Sequence, residues 1–493
     1  MTEDTPANLE PSVPPAGTFR EPVDDTVTTH HSLRTADGEF AYTARAGCIV
    51  LREEIHTDGT FDGHRPKAEL FVVSYCRDGV DDVSKRPVTF AFNGGPGSSS
   101  VWLHLGLLGP RRVLMGDVGA LLPPPYGLTA NAESLLADSD LVFVDPVSTG
   151  FSRVAEGGKP EEYHGYRRDF EAVGELVRLW TTRHGRWMSP KFLAGESYGT
   201  TRAAALAAHL QRRYGLYLNG VILISTALDF GTIRFHESND VPYPLFLPTY
   251  ACLAHYHGRL GDRPLAEVRA EAEQFAARDY PWALAQGARL PAAERDDVAR
   301  LLAALTGLSR DYLDRADLRI EHHRFFRELL RDRGLVTGRL DGRFTGYEPH
   351  DVGELPSFDP SYAAIHGPYA VAMNHYVHGE LDYRNDLPYE ILTDRVKPWS
   401  YDEFEGRNVS VTGSLSEAMR TNPHLRVMIG SGYYDAATPY FGTDYALAHT
   451  PLPDELRRNI SVRYYDAGHM MYVHEPSRLR QSAEIAAFVR GDT

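Results

Sequence analysis

The segment Gly195-Glu196-Ser197-Tyr198-Gly199 lies between an apolar run, Lys191-Phe192-Leu193-Ala194, and an alanine-rich stretch from Thr201 to Leu210. That order reads as strand, tight turn and helix, with a serine at the tip. A serine so placed is held on a strained elbow, its hydroxyl raised over the C-terminal edge of a sheet. The flanking glycines suit a turn that closes against neighbouring backbone, where a Cβ has no room. The feature predicts an α/β architecture that carries an acyl-transferring nucleophile.

The rest of the chain keeps the matching rhythm. A hairpin is expected over Val27 to Glu54, turning at Asp37-Gly38, and further strands over Glu69–Tyr75, Val88–Phe92, Leu141–Asp145, Val221–Ser225, Leu425–Ile429 and Ile460–Tyr465. Helical patterns run from Tyr163 to Arg183, after the elbow, and from Pro476 to Arg490. Continuously apolar strands alternating with helices predict a mainly parallel sheet covered on both faces. From about 235 to 400 the pattern changes to helices and loops, with helices expected over Ala266–Ala277, Ala292–Ala304 and Ser309–Arg333. The sheet rhythm then resumes. The expected organisation is an α/β domain over 23–235 and 400–493, interrupted by a mostly helical cap over 236–399. A disordered tail rich in Pro, Glu and Thr is expected over 1–22. An unrelated second domain is the alternative for the middle block, and the resumed sheet pattern argues against it.

A serine hydroxyl needs a base within hydrogen-bond reach, and the base needs an orienting acid. Two late loops fit. Gly430 to Asp435 follows one predicted strand, and Asp466-Ala467-Gly468-His469-Met470 follows the next. Ser197, Asp435 and His469 then come in the order Ser, Asp, His, each on a loop after a successive strand. Asp466, Asp444 and His474 are weaker candidates, on the wrong side of a turn or beside a helix. An oxyanion hole needs two backbone N–H groups. One is expected from Tyr198 and the other from the loop Asn93-Gly94-Gly95-Pro96-Gly97. A phosphate cradle is the poorer reading of that loop, because no Lys-Ser/Thr follows it.

The net charge of −16 argues against nucleic acid and anionic membranes as partners. No apolar run is long enough to span a bilayer, and the start of the chain has no basic, apolar signal pattern. Three cysteines, Cys48, Cys76 and Cys252, suit a reducing compartment, so a cytoplasmic location is expected. His30-His31 and His322-His323 lack ligand spacing and a third ligand; they read as exposed, and no metal or cofactor is expected.

Asn93 to Ser100, Gly195 to Gly199 and Gly468-His469-Met470 together resemble the signatures of the serine carboxypeptidases. So do Asp145-Pro-Val-Ser-Thr-Gly-Phe-Ser152 and Leu108-Gly-Pro110. The resemblance implies an α/β-hydrolase fold and release of single residues from the free C-terminus of a peptide. It implies Ser197 as nucleophile, His469 as base, Asp435 as its orienter, and the Gly95 and Tyr198 amides as oxyanion donors. The substrate carboxylate would be held by Asn93, Gly94 and Glu196, and the leaving-residue pocket lined by Trp102, Leu107 and Met470. A buried Glu196 has its pKa raised, so a neutral Glu196 can donate to a carboxylate.

Three departures from the family pattern stand out. Leu107 occupies the position, by spacing from Asn93, of a second Glu that usually partners the first. Arg202 follows the elbow, read chiefly as a surface helix arginine and otherwise as a counter-charge for substrate. The family is typically secreted and disulfide-bonded, whereas this chain looks like a bacterial cytoplasmic branch. An esterase or acyltransferase with the same triad is the nearest alternative. A non-catalytic binding protein on the same fold is the alternative from another class.

Overall fold

The computed structural model describes residues 21–492, so the tail predicted over 1–22 lies almost wholly outside the described residues. A ten-stranded sheet organises the chain. Its path comprises β1 (Asp25–Thr35), β2 (Gly38–Thr57), β3 (Thr60–Arg77), β4 (Val88–Phe92), β5 (Asp140–Val144), β6 (Lys191–Glu196), β7 (Gly220–Ile224), β8 (Arg426–Gly432) and β9 (Ile460–Tyr465). The spatial order is β1-β2-β3-β5-β4-β6-β7-β8-β9, and the two-residue strand Arg153–Val154 pairs with β3 off this path. β1 to β3 form an antiparallel meander, and β3 meets β5 antiparallel. From β5 to β9 every neighbouring pair is parallel.

The parallel strands β4, β5, β6 and β7 are buried along their whole length, which is why their sequences are continuously apolar instead of alternating. Successive side chains still go to opposite faces. Phe71, Phe143, Phe192 and Ile222 enter one core, and their neighbours Val72, Val142, Leu193 and Val221 enter the other. The longer helices are α1 (Tyr166–Arg183), α2 (Tyr198–Tyr214), α3 (Pro242–Tyr256), α4 (Leu265–Ala277), α5 (Ala292–Thr306), α6 (Pro360–His375), α7 (Thr412–Thr421), α8 (Tyr440–Ala448) and α9 (Glu475–Arg490). On α1, Tyr166, Phe170, Val173, Val177 and Trp180 repeat at helical spacing, and all five enter the second core.

Between β7 and β8 the chain packs in two ways. Residues from Phe246 to Leu330 build a separate hydrophobic cluster, joined by Tyr434 and Ala436 from the loop after β8. Residues from Ala364 to Ile391 enter the first sheet core directly. The helix expected over Ser309–Arg333 is broken into Arg310–Arg315, His322–Glu328 and a short turn of helix at Arg331–Arg333. Asp317 and Leu318 interrupt it with φ of 48° and 61°, left-handed values that no L-residue helix can propagate. Leu318 is buried there, so packing of its side chain holds the break. Among the described residues no helix is long and apolar enough to cross a membrane.

Candidate active site

Ser197 sits between β6 and α2 with φ 60° and ψ −129°, a strained conformation for a residue with a side chain. Its amide donates to the Ile224 carbonyl at 2.9 Å, tying the elbow to β7. The turn is closed by backbone contact. A Cβ on Gly195 would lie 2.3 Å from the Gly199 carbonyl oxygen, and one on Gly199 would lie 2.8 Å from that of Phe92. The glycine loop closes equally tightly, since a Cβ on Gly94 would meet the Tyr198 amide nitrogen at 2.3 Å. The Gly94-Gly95 backbone and the Tyr198 N–H therefore lie side by side, with Gly95 exposed beside the buried Asn93 and Gly94.

Asp435 follows β8 and His469 follows β9. His469 Nδ1 is 2.8 Å from Asp435 Oδ2, both groups being buried. The carboxylate is further held by the Ala437 and Thr438 amides on Oδ1, at 2.8 and 2.9 Å, and by the Thr438 hydroxyl on Oδ2 at 2.7 Å. The His469 amide donates to the Leu340 carbonyl at 2.6 Å, and its own carbonyl accepts the Ser225 hydroxyl at 2.6 Å. Burial pulls the His469 pKa down, but the Asp435 charge and hydrogen bond outweigh it and Glu196 adds to them, so the net direction is upward. With Nδ1 engaged by Asp435, Nε2 is the nitrogen left to act on a nucleophile.

Asn93, Gly94, Gly95, Glu196, Ser197, His469, Trp102 and Met470 all line one cavity of about 940 Å³. Asp435 and Tyr198 stand behind its wall. Asn93 Nδ2 donates to Glu196 Oε1 at 3.0 Å, while Asn93 Oδ1 accepts from the Leu103 amide at 3.1 Å, which fixes the orientation of the amide. The other oxygen of Glu196, Oε2, accepts from the Tyr472 hydroxyl at 2.7 Å. Burial raises the Glu196 pKa to about 7, against the opposing pull of His469 and of the Tyr472 and Asn93 hydrogen bonds. The segment from Leu392 to Tyr401 closes the opposite wall. There Trp399 Nε1 donates to the Tyr198 hydroxyl at 3.2 Å, and the Thr393 amide donates to the Gly97 carbonyl at 3.0 Å.

Three expectations are corrected. Leu107 does not line the cavity; it is buried in the sheet core and its carbonyl accepts from Asn131 Nδ2 at 2.9 Å. The Tyr472 ring packs beside it, in the space a Cβ on Gly106 would need, 2.4 Å away. The partner of Glu196 is thus a neutral tyrosine, three residues past His469 in the sequence. Arg202 is neither a surface arginine nor free to meet substrate. It is 1% exposed and pairs with Asp169 of α1, with Nε–Oδ2 2.7 Å and Nη2–Oδ1 3.1 Å. Its Nη1 donates to the Asn93 carbonyl at 2.5 Å. His322 and His323 are not simply exposed either. His322 stacks with Phe235 and Phe246 at 4.9 and 5.5 Å, and Glu321 brings a third donor atom within 4.8 Å.

A mainly parallel sheet with helices on both faces, a serine elbow after β6 and an Asp–His pair on the loops after β8 and β9 define an α/β-hydrolase fold. Residues 64–237 match the model of the serine carboxypeptidase family. The matched stretch carries the glycine loop and the serine elbow. Among solved structures it is similar to Kex1Δp, a prohormone-processing carboxypeptidase from Saccharomyces cerevisiae. The identity is 15%, 91% of each chain is covered and the TM-score is 0.54. A proline iminopeptidase from Mycobacterium smegmatis also matches, at 13% identity over 90% of this chain and 98% of that one, with a TM-score of 0.36. At these identities the likeness is one of fold. No curated protein sequence matches the chain.

Proposed function

We propose that the chain removes the last residue of a peptide through an acyl-enzyme on Ser197. The Ser197 hydroxyl attacks the scissile carbonyl as His469 Nε2 takes its proton, and Asp435 holds the imidazole in the productive tautomer. The oxyanion is met by the Gly95 and Tyr198 amides. His469 returns the proton to the leaving amine, and water then repeats the sequence to free the acid. The helical block between β7 and β8 acts as a cap that shapes access. Three free thiols, Cys48, Cys76 and Cys252, support a cytoplasmic setting.

The observation that carries the peptide reading is Glu196. It is a buried carboxyl one residue before the nucleophile, held by Asn93 and Tyr472 in the cavity wall. Once protonated, a carboxyl at that place can donate to the terminal carboxylate of a peptide. A matched panel tests this: a blocked dipeptide acid, its C-terminal amide, its ester and a nitrophenyl ester. The free acid is expected to be cleaved well ahead of the amide. Equal turnover of acid, amide and plain ester assigns the chain to the esterases instead.

The pH dependence follows from the same group. Below about 7 Glu196 is neutral and donates to the substrate carboxylate; above that two carboxylates face each other in a buried site. KM is therefore expected to rise as pH climbs through this value. Glu196→Gln, which stays neutral, is expected to flatten that rise, as read from KM against pH for the peptide acid. A rise that persists in the variant removes Glu196 from carboxylate binding.

A further inference from the structure

Arg339 lines the same cavity as Ser197 and His469. It immediately precedes Leu340, whose carbonyl accepts the His469 amide, and its own carbonyl accepts the Ala436 amide at 3.2 Å. The backbone that carries Arg339 is therefore fixed against the Asp435–His469 pair. Its side chain is 40% exposed, and the one carboxylate within 4.0 Å among the described residues is Asp359, with Nε–Oδ2 at that limit. Asp359 Oδ1 caps α6 through the Ser361 and Tyr362 amides and accepts the Arg339 amide, and Oδ2 stays beyond hydrogen-bond distance of the guanidinium. The guanidinium fork is left for something else.

The side of the cavity it faces can be named from its neighbours. Tyr362, one turn into α6 from Asp359, sets its ring edge-on to Trp102 at 6.3 Å, and Trp102 lines the cavity with Asn93 and Glu196. On the proposed function, that is the side that would take the substrate carboxylate and the leaving residue. Other charges along the cavity are accounted for. Asp394 and Lys397 pair with each other at 2.7 Å in exposed positions, and Glu196 is held by Asn93 and Tyr472. In a chain of net charge −16, a cation whose nearest carboxylate among the described residues is 4.0 Å away lines the same cavity as Trp102, Leu340, Ile365 and Met470. A guanidinium so placed recognises a carboxylate in fork geometry.

We infer that Arg339 is a specificity determinant that makes the leaving-residue pocket select an acidic side chain, so that the preferred substrates are peptides ending in Glu or Asp. The inference rests on the carboxypeptidase reading. It is tested by kcat/KM of wild type, Arg339→Met and Arg339→Glu on blocked dipeptide acids whose last residue is Glu, Gln or Lys. Glu and Gln have the same shape, so their ratio within one enzyme isolates the charge. The wild-type Glu/Gln ratio is expected to be roughly tenfold, the size of one partly desolvated ion pair. It is expected to fall as salt is raised to about 1 M. Arg339→Met is expected to bring it near unity, and Arg339→Glu to turn the preference to Lys.

A Glu/Gln ratio unchanged in Arg339→Met overturns the inference. So does an equal loss on both substrates, which makes Arg339 a reader of the main-chain carboxylate. Should wild type turn over a nitrophenyl ester but no peptide acid, the carboxypeptidase reading fails separately. Inhibition of ester turnover by free glutamate against free glutamine then decides: unequal inhibition abolished in Arg339→Met supports the anion subsite, and equal inhibition overturns it.

Discussion

Asp435→Asn is expected to lower kcat by roughly 10⁴-fold while leaving the fold and KM little changed. The reason lies in the hydrogen bonds around the carboxylate. Oδ1 accepts two backbone amides, from Ala437 and Thr438, so the asparagine carbonyl is drawn to that side. The NH₂ group must then occupy the place of Oδ2 and point at His469 Nδ1, 2.8 Å away in the native pair. A donor there forces Nδ1 to accept and puts the ring proton on Nε2, the nitrogen that has to take the proton of Ser197. Steady-state kinetics on the peptide acid, with thermal melting as the control for folding, measure both halves of the expectation. A loss of only a few fold assigns the orienting role elsewhere.

Arg202→Met is expected to destabilise the chain by about 3–5 kcal/mol, because it leaves Asp169 buried without its counter-charge. Burial already pushes the Asp169 pKa up, and the Arg202 charge and its hydrogen bonds to Asp169 are what oppose that shift. The double variant Arg202→Met, Asp169→Leu is expected to recover most of the loss, since an apolar pair of similar volume needs no compensation. Urea or thermal unfolding reads the difference. Recovery of stability is not expected to restore substrate binding. Arg202 also donates to the carbonyl of Asn93, and the double variant leaves that support missing. A double variant as unstable as the single one would show that the helix–helix packing, not the charge, is at stake.

What could be read from the sequence and what could not follows from how far each residue acts. The Ser197 elbow and the Asn93–Gly97 loop are local devices. Their glycines answer to backbone atoms of the same two loops, so their spacing is written in short stretches of chain. The apolar runs of β4 to β7 are equally local signals, and the structure places strands at each. Arg202 looked like a surface residue because nothing near it in sequence announces Asp169, 33 residues earlier on α1. Leu107 was set in the pocket by counting from Asn93, but the space beside Glu196 is filled by Tyr472, 276 residues beyond Glu196. A signal existed in the short step from His469 to Tyr472, yet only the packing against Gly106 gives it meaning. Arg339 reaches the site through the long insertion, whose helices follow no repeating register with the sheet.

The seat of His469 has a consequence in time. Its amide is bound to Leu340 and its carbonyl to Ser225, so the imidazole is positioned only when the end of the chain returns to two segments made long before it. β8 reaches β7 across the whole stretch from 225 to 425, a loop whose closure entropy must be met before the pairing stabilises anything. The elbow serine is thus fixed by neighbouring stretches of chain, whereas its base is fixed only by contacts far apart in sequence.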